Sequence, residues 1–581
     1  MKNWIFRTPA QPDPAWADEL ALSPMLLALL CGRGYTEKDA IDTFLSPSLS
    51  LLAHPNCWPG IPTAAAMLAD DLLAGKTLAV WGDYDVDGIT ATALVLDVLE
   101  AHNISALYHV PDRKTEGYGL NIPAIEALAA QGVQTLLTVD CGISDVQAIA
   151  RARELGMRVI LSDHHLPPAE LPPASAICNP RMGEPEQCPC PYLAGVGVAF
   201  YLMGAVNALL HTRLGTRCVM DNVLDLVALG TLADVMRLSG QNRLLVKGGL
   251  RRIAMAQRPG MAALKRVSNF DEAAAITSGQ AVFRLAPRIN AAGRMGHAGL
   301  ALALLRAKSR EEAQELAAQL DALNSERRLE EERIGKEARD MALRQIQEGR
   351  MGLVLYGKDW HAGIIGIVAS RIVDEFYRPT LILCDDQQAI KGSGRSVREF
   401  DLHAGLTRIS QHMLGYGGHR QAAGVRIAPD TVATFAAAFD AVVREELGSL
   451  PLTPTIMLEC ELGFELASSF DFLKELELLQ PFGPGNAEPV FASPPLLVTA
   501  RQPLGRGHEH VRLRLLDEHC GIALYAKAWR MGAQLPESLC GKRICIAYTP
   551  KIDSYNGTPT IYINIKDWKM AEDQPQTRQE Q

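Results

Sequence analysis

From about Lys76 onward, short apolar runs alternate with amphipathic segments long enough for three- or four-turn helices. The runs Thr77–Trp81, Ala106–Val110, Thr135–Val139 and Arg158–Leu161 predict strands. Between them, Ile89–His102, Ile122–Gln131 and Val146–Leu155 predict helices, two of which end at or near Gly132 and Gly156, residues suited to the left-handed turn that closes a helix. This alternation is the pattern of a parallel sheet covered on both faces, so the fold class is α/β, doubly wound. A more helical region from Leu193 to about Val282 completes a first domain, taken as 76–300, on which residues 1–75 are expected to pack as an N-terminal extension.

Residues 301–350 are rich in Ala, Leu, Glu and Arg and lack Pro, which predicts a long exposed connecting helix. A smaller α/β pattern follows over 351–447, with strands Gly352–Tyr356 and Thr380–Cys384 around helix Ile364–Phe376 and then Gly-rich loops. Over 451–570 the pattern turns to β: Leu496–Ala500, Val511–Leu516, Ile522–Ala526, Ile544–Tyr548 and Thr560–Ile565 predict five strands, enough for a small barrel. The polar tail 571–581 is expected to be disordered.

A length of 581 residues agrees with three or four domains at about 150 residues each. With 48% hydrophobic and 21% charged residues, general disorder and fibrous repeats are excluded. The net charge of −9 argues against a basic coat for nucleic acid but leaves room for a local basic cleft. No signal-peptide run opens the chain and no stretch reads as a membrane span, so a soluble cytoplasmic protein without a membrane partner is expected. Twelve cysteines without a CxxC pair read as reduced thiols; Cys188 and Cys190 stand too close for usual zinc-finger spacing.

The candidate chemistry gathers at strand ends. Thr77–Trp81 runs into Gly82-Asp83-Tyr84-Asp85-Val86-Asp87-Gly88, three alternate acids in a tight loop before a helix. One such Asp is explained as a turn or helix-cap residue, but three are not. A calcium loop would need Glu at its twelfth position, where Leu94 stands. The third strand ends at Asp140, followed by Cys141, and the fourth at Asp163-His164-His165. Asp234, after an apolar helical run, adds a further acid; Asp225 competes with it but reads more simply as a helix-surface residue. Carboxylates mixed with one or two imidazoles suit Mn²⁺ or Mg²⁺ better than zinc, and two such ions suit phosphoester hydrolysis.

DYDVDG, VDCGISD, SDHH and GTLADV resemble the successive motifs of the DHH phosphoesterase family. PRINAAGR at Pro287–Arg294, WHAGIIGIVASR at Trp360–Arg371, GSGRS at Gly392–Ser396 and GGHRQAAG at Gly417–Gly424 are similar to motifs of its RecJ branch of single-stranded-DNA exonucleases. The resemblance runs from about Lys76 to Asp567. It implies a DHH catalytic domain, a connecting helix, a DHHA1-type substrate-binding domain and an OB-fold barrel. It also implies removal of nucleotides from the 5′ end of single-stranded DNA, with two Mn²⁺ or Mg²⁺ ions held by Asp83, Asp85, Asp140, His164 and Asp234. His165 then ligates or lies beside the scissile phosphate, and Asp87 supports the ligands. The additional His that many small DHH phosphoesterases carry before the first motif is absent, Ala79 and Val80 occupying that neighbourhood. Cys141 is read as a small residue packed under the site.

Gly392-Ser393-Gly394-Arg395-Ser396 offers backbone N–H groups, hydroxyls and a guanidinium within five residues, a candidate anion cradle with Ser393 and Arg395 at its centre. Gly418 and His419, in a Gly-rich loop, are assigned to substrate by the resemblance, and Arg113 and Arg288 are candidates for backbone phosphates. From Pro495 to Met570 eleven Lys and Arg stand against six Asp and Glu, interleaved with Tyr525, Trp529, Tyr548, Tyr555 and Tyr562. A basic groove with aromatic platforms binds single strands. The competing functions are a phosphodiesterase for short RNA or cyclic dinucleotides, which the barrel disfavours, and an inactive replication scaffold, which the intact acid and His set disfavours. A single-stranded-DNA-binding protein or a helicase is the expected protein partner of a monomeric enzyme.

Overall fold

The structure is a computed structural model and describes all residues except 1, 9–10, 114, 184–187, 387–388, 449–451, 506, 554–558 and 572–581. The predicted tail and Tyr555 therefore lie outside the described residues. The chain forms two compact units: Leu49–Leu452 with Gly483–Gly485, and Met1–Ser48 with Thr453–Phe482 and Asn486–Gln581.

In the first unit, strands Leu107–His109, Leu78–Trp81, Thr135–Val139, Arg158–Ser162 and Ala176–Cys178 lie side by side in that order, all parallel. Chain order reverses at Leu78–Trp81, and sheets of this kind bind ligands outside the carboxyl ends of the strands at that reversal. All four residues of Leu78–Trp81 and all five of Thr135–Val139 are buried, which is why they read as unbroken apolar runs. Ala176–Cys178 matches no predicted run, because three residues are too few for a periodic signal.

Helix Val86–Ala101 follows the acidic loop and is buried along most of its length, packed against helices Gly195–Leu214 and Leu224–Ala233. Gly195–Leu214 is, among the described residues, one helix long and apolar enough to cross a membrane, which corrects the expectation that no stretch qualifies. It is instead a core helix, with 67% of its apolar window buried in the protein.

The connecting segment differs from its expected form. Ala298–Arg306 is a separate helix, and the long helix is Arg310–Gln347, 38 residues or about 57 Å. It is not exposed throughout: Ala313, Ala317 and Leu320 enter the core of the five-stranded α/β layer, whereas Ile334, Ala338 and Ala342 enter that of the next domain. That second domain is a five-stranded mixed sheet ordered Gly415–His419, Ala422–Ile427, Ala389–Arg395, Thr380–Asp386 and Leu353–Tyr356. Only the last pair is parallel.

In the other unit, strands Leu496–Leu504, His510–Asp517, Ile522–Ala528, Arg543–Asp553 and Thr560–Met570 form a closed barrel. Ile522–Ala528 pairs in parallel with Thr560–Met570, which pairs back onto Arg543–Asp553. All five predicted strands are present within it. The N-terminal residues correct the expectation for 1–75. Asn3–Phe6 pairs with Thr455–Leu458, and Leu26, Leu27 and Leu30 of helix Pro24–Gly32 share the barrel's core with Phe472 and Leu496. Only from Leu49 does the chain belong to the first unit, where Ile61, Leu68 and Leu72 of helix Ile61–Leu73 enter its core.

Candidate active site

The acidic loop owes its shape to local chemistry. Asp85 caps helix Val86–Ala101, its Oδ1 accepting from the N–H groups of Asp87 at 2.8 Å and Gly88 at 3.1 Å. Gly88 is obligatory, since a Cβ there would lie 2.5 Å from Asp83 N. Asp140 sits at φ +64°, a left-handed conformation that turns the chain sharply at the end of its strand.

These turns bring the strand ends together. His164 Nε2 lies 3.1 Å from Asp140 Oδ1, 3.6 Å from Asp234 Oδ2 and 3.9 Å from Asp87 Oδ2. Three groups each place one possible ligand atom per residue within 4.8 Å of the others: Asp83, Asp85 and Asp140; Asp87, His164 and Asp234; Asp140, His164 and His165. The groups adjoin through Asp140 and His164. Asp83 Oδ1, Asp140 Oδ1, His164 Nε2 and Asp234 Oδ2 are buried without a hydrogen-bond partner. Buried polar atoms are normally paired, so four orphans at one point are the mark of a site completed by a cation.

Electrostatics agree. Burial, reinforced by neighbouring carboxylates, holds the Asp83 and Asp140 carboxyls well above their usual range and raises Asp87 to about 7 and Asp234 to about 8. Burial, with the His165 charge beside it, lowers His164 to about 3 and keeps its imidazole neutral, the form that binds metals. Burial works against the His165 charge too, but the Asp163 hydrogen bond and the surrounding acids outweigh it and push that imidazole up to about 9.

Asp163 is a residue that sequence reasoning left without a role. Its Oδ1 accepts from the backbone N–H of His164 at 2.7 Å and of His165 at 3.1 Å and lies 2.8 Å from His165 Nδ1; its Oδ2 accepts from Ile143 N–H. It fixes the backbone of both histidines and orients the His165 ring, and its place directly before them was the available signal. Asp87 accepts from Gly195 and Val196 N–H at 2.6 and 2.9 Å, tying the loop to the next core helix while it flanks His164. Asp225 is gripped by Arg258 at 2.8 Å and joins none of the three groups. Cys141 is buried with its Sγ toward the Trp81 and Val139 carbonyls and belongs to none of them either.

The anion cradle takes a different form from the one expected. GSGRS is not a loop: Ala389–Arg395 is a strand whose backbone is hydrogen-bonded to strands on both sides. Ser393 and Arg395 instead share one face of it, Arg395 Nη1 donating to Ser393 Oγ at 3.3 Å. Gly366 opens that face, because a Cβ there would meet Ser393 Oγ at 2.8 Å. Gly418 and His419 likewise lie on an exposed strand, with Gly418 at φ +142°.

Arg288 is occupied: it pairs with Asp321 at 2.8 Å and donates to the Arg284 and Val267 carbonyls. Arg294 of the same motif faces the site instead. Six residues along a helix are about 240° apart, so the two arginines cannot share a face. Arg294 donates to the Gly363 carbonyl at 2.8 Å, and burial, with Arg113, Arg327 and Arg395 nearby, lowers it to about 10. Arg113 lies over the Tyr84 ring at 5.2 Å. Among the described residues Arg113, Arg294 and Arg395 have no carboxylate partner, the condition of a site built for an anion.

In the barrel, Tyr525 and Trp529 are exposed, each 51%; Arg512 lies over Tyr525 and His510 against Trp529. Tyr562 is half-buried under Lys527. Tyr548 is fully buried, its hydroxyl donating to the Leu462 carbonyl, so it is core and not a platform.

Residues 77–231 match the DHH family N-terminal domain, 350–445 the DHHA1 domain and 459–567 the RecJ OB domain. The single-stranded-DNA-specific exonuclease RecJ of Haemophilus influenzae is 37% identical over 541 residues, covering 90% of this chain and 92% of its own. This chain belongs to the RecJ family. The RecJ of Escherichia coli is 33% identical over 566 residues, covering 94% and 95%. The crystal structure of RecJ from Thermus thermophilus in complex with Mn²⁺ superimposes with a TM-score of 0.81 at 30% identity, covering 98% of this chain and 80% of the other. The DHH match ends before Asp234, yet the fold brings Asp234 to His164.

Proposed function

We infer that the chain is a metal-dependent 5′→3′ exonuclease that hydrolyses single-stranded DNA to 5′-mononucleotides, serving DNA repair and recombination. One observation carries the reading: buried carboxylate and imidazole atoms without hydrogen-bond partners lie close to arginines without carboxylate partners. RecJ relatives named as single-stranded-DNA-specific exonucleases, and a RecJ structure holding Mn²⁺, supply the substrate class and the metal.

Asp83, Asp85 and Asp140 would hold one Mn²⁺ or Mg²⁺, and Asp140, His164 and Asp234 a second, with His165 adjoining. Two such ions supply an activated water and neutralise charge on the attacked phosphate. The chain's own residues do the rest. Arg113, Arg294, Ser393 and Arg395 seize the terminal phosphate and fix how far the strand enters. Asp163 holds a proton on His165, leaving a charged imidazole beside the reacting phosphate. The barrel's basic, aromatic surface retains the strand between turnovers. Strands of this kind arise beside a helicase or under a single-stranded-DNA-binding protein, which we take as partners of a monomeric cytoplasmic enzyme.

The test is product analysis on strands labelled at either end. A 5′ label should appear at once as mononucleotide, only with Mn²⁺ or Mg²⁺, and duplex should resist. Preference for a cyclic dinucleotide, or no metal-dependent release, would refute the reading.

A further inference from the structure

One more cation, Arg181, lies near the candidate metal centre. Arg181 follows strand Ala176–Cys178, at the carboxyl edge of the sheet where the ligand groups gather. Two bonds tie this segment to the histidine pair. The Asp163 N–H donates to the Cys178 carbonyl at 3.0 Å, and Asn179 bridges the rest: its Nδ2 donates to the His165 carbonyl at 2.9 Å while its Oδ1 accepts from Arg181 N–H at 2.9 Å. The Arg181 backbone is therefore held in fixed register with His165. Its Nε is buried without a hydrogen-bond partner, and among the described residues the side chain makes no ion pair. A buried guanidinium nitrogen left without an acceptor is a costly arrangement unless an anion completes it.

Arg181 is anchored beside His165, whereas Arg113 lies over the ring of Tyr84, the residue between Asp83 and Asp85. Gly293, next to Arg294, packs on the Tyr84 carbonyl, which an added Cβ would meet at 2.4 Å, while the Arg181 charge acts on His164 and Asp234. The cations thus bracket the ligand groups, three at the Asp83/Asp85 end and one at the His164/Asp234 end.

We propose that Arg181 binds the first internucleotide phosphate beyond the scissile one, on the 3′ side, and so sets the minimum efficient substrate at three nucleotides. This rests on the exonuclease reading above, in which the three-arginine end holds the terminal phosphate and the scissile phosphate lies over the ligand groups. Arg181 is a binding residue in this scheme.

The test compares full-length wild type with Arg181→Gln and Arg181→Lys on three 5′-phosphorylated substrates. These are a dinucleotide, a trinucleotide, and a trinucleotide whose last linkage is an uncharged methylphosphonate. A lost charged contact is worth roughly tenfold to a hundredfold in kcat/KM. Arg181→Gln should lose that factor on the trinucleotide and change by less than about twofold on the other two. Wild type should lose a like factor between the charged and uncharged trinucleotides, and Arg181→Lys should recover part of it. The melting temperature should not fall, since no protein ion pair is removed. Equal losses on dinucleotide and trinucleotide, no loss on either, or a variant still sensitive to the methylphosphonate would each overturn the assignment. A wild type that releases no mononucleotide from a long single strand with metal would overturn the parent reading, whereas one that cuts the long strand but not the charged trinucleotide would overturn this assignment alone.

Discussion

Removing one acid from the metal centre should stabilise the metal-free protein at alkaline pH, and Asp234→Asn is the sharpest case. Asp234 closes helix Leu224–Ala233, where the helix dipole already disfavours a negative charge, and its Oδ2 is buried without a partner. Burial, with Asp87 and Asp85 nearby, raises it from 3.8 to about 8 in the folded chain. Between those two values the folded state keeps a proton that the unfolded chain has released, so the stabilising contribution is complete below pH 4 and is lost as pH rises to 8. At about 1.4 kcal/mol for each tenfold change in proton affinity, and shared among coupled acids, the recoverable cost is roughly 3 kcal/mol above pH 8. In a unit of this size that corresponds to about 3–6 °C in Tm. The assay is calorimetry of EDTA-treated protein at pH 5.5 and 8.5, with and without Mn²⁺. The variant should melt higher than wild type at pH 8.5 without metal, keep less than half of that margin at pH 5.5, and gain less from Mn²⁺. A metal-free variant that melts lower than wild type at pH 8.5 would refute the claim that these acids are held together for a cation.

Asp85→Ala should abolish hydrolysis and also cost about 1 kcal/mol of stability, because it removes a helix cap; activity and Tm measured together check both. His164→Ala should abolish Mn²⁺-dependent turnover without loss of fold, since its Nε2 makes no hydrogen bond, and retained turnover would contradict the ligand assignment. Arg395→Ala should weaken cleavage of 5′-phosphorylated strands more than of 5′-hydroxyl strands, whereas Arg288→Ala should lower Tm and leave that ratio unchanged, read from kinetics on the two strand types. Tyr525→Ala with Trp529→Ala should weaken long-strand binding by about 1–3 kcal/mol per residue and spare a trinucleotide, measured by anisotropy and turnover.

The parts of this protein that periodicity describes are legible in the sequence. Buried parallel strands such as Leu78–Trp81 and Thr135–Val139 carry unbroken apolar runs, and the barrel strands carry alternation between turn residues. Asp83, Asp85, Asp140, His164 and Asp234 could be singled out because polar groups at the ends of apolar segments have no packing purpose. What sequence could not show depends on contacts distant in the chain. Nothing local says that Leu26 and Leu30 are buried with Phe472, so the sequence pattern alone does not assign the first 48 residues to the barrel unit. GSGRS resembles a turn because glycine favours turns, yet here Gly392 and Gly394 are crowded by Leu383, Val425 and Leu381 within a sheet. Arg288 and Arg294 are equivalent on paper, and only the side of the helix each occupies separates an ion pair with Asp321 from a place near Arg113 and Arg395.

If the two adjoining ligand groups hold two divalent ions, anomalous diffraction from Mn²⁺-soaked crystals should show both. Two peaks are expected about 3.5–4 Å apart, one among Asp83, Asp85 and Asp140 and one beside His164 and Asp234, with the second lost in Asp234→Ala. Manganese bound elsewhere, or no peak among these residues while the protein still degrades single strands, would contradict it.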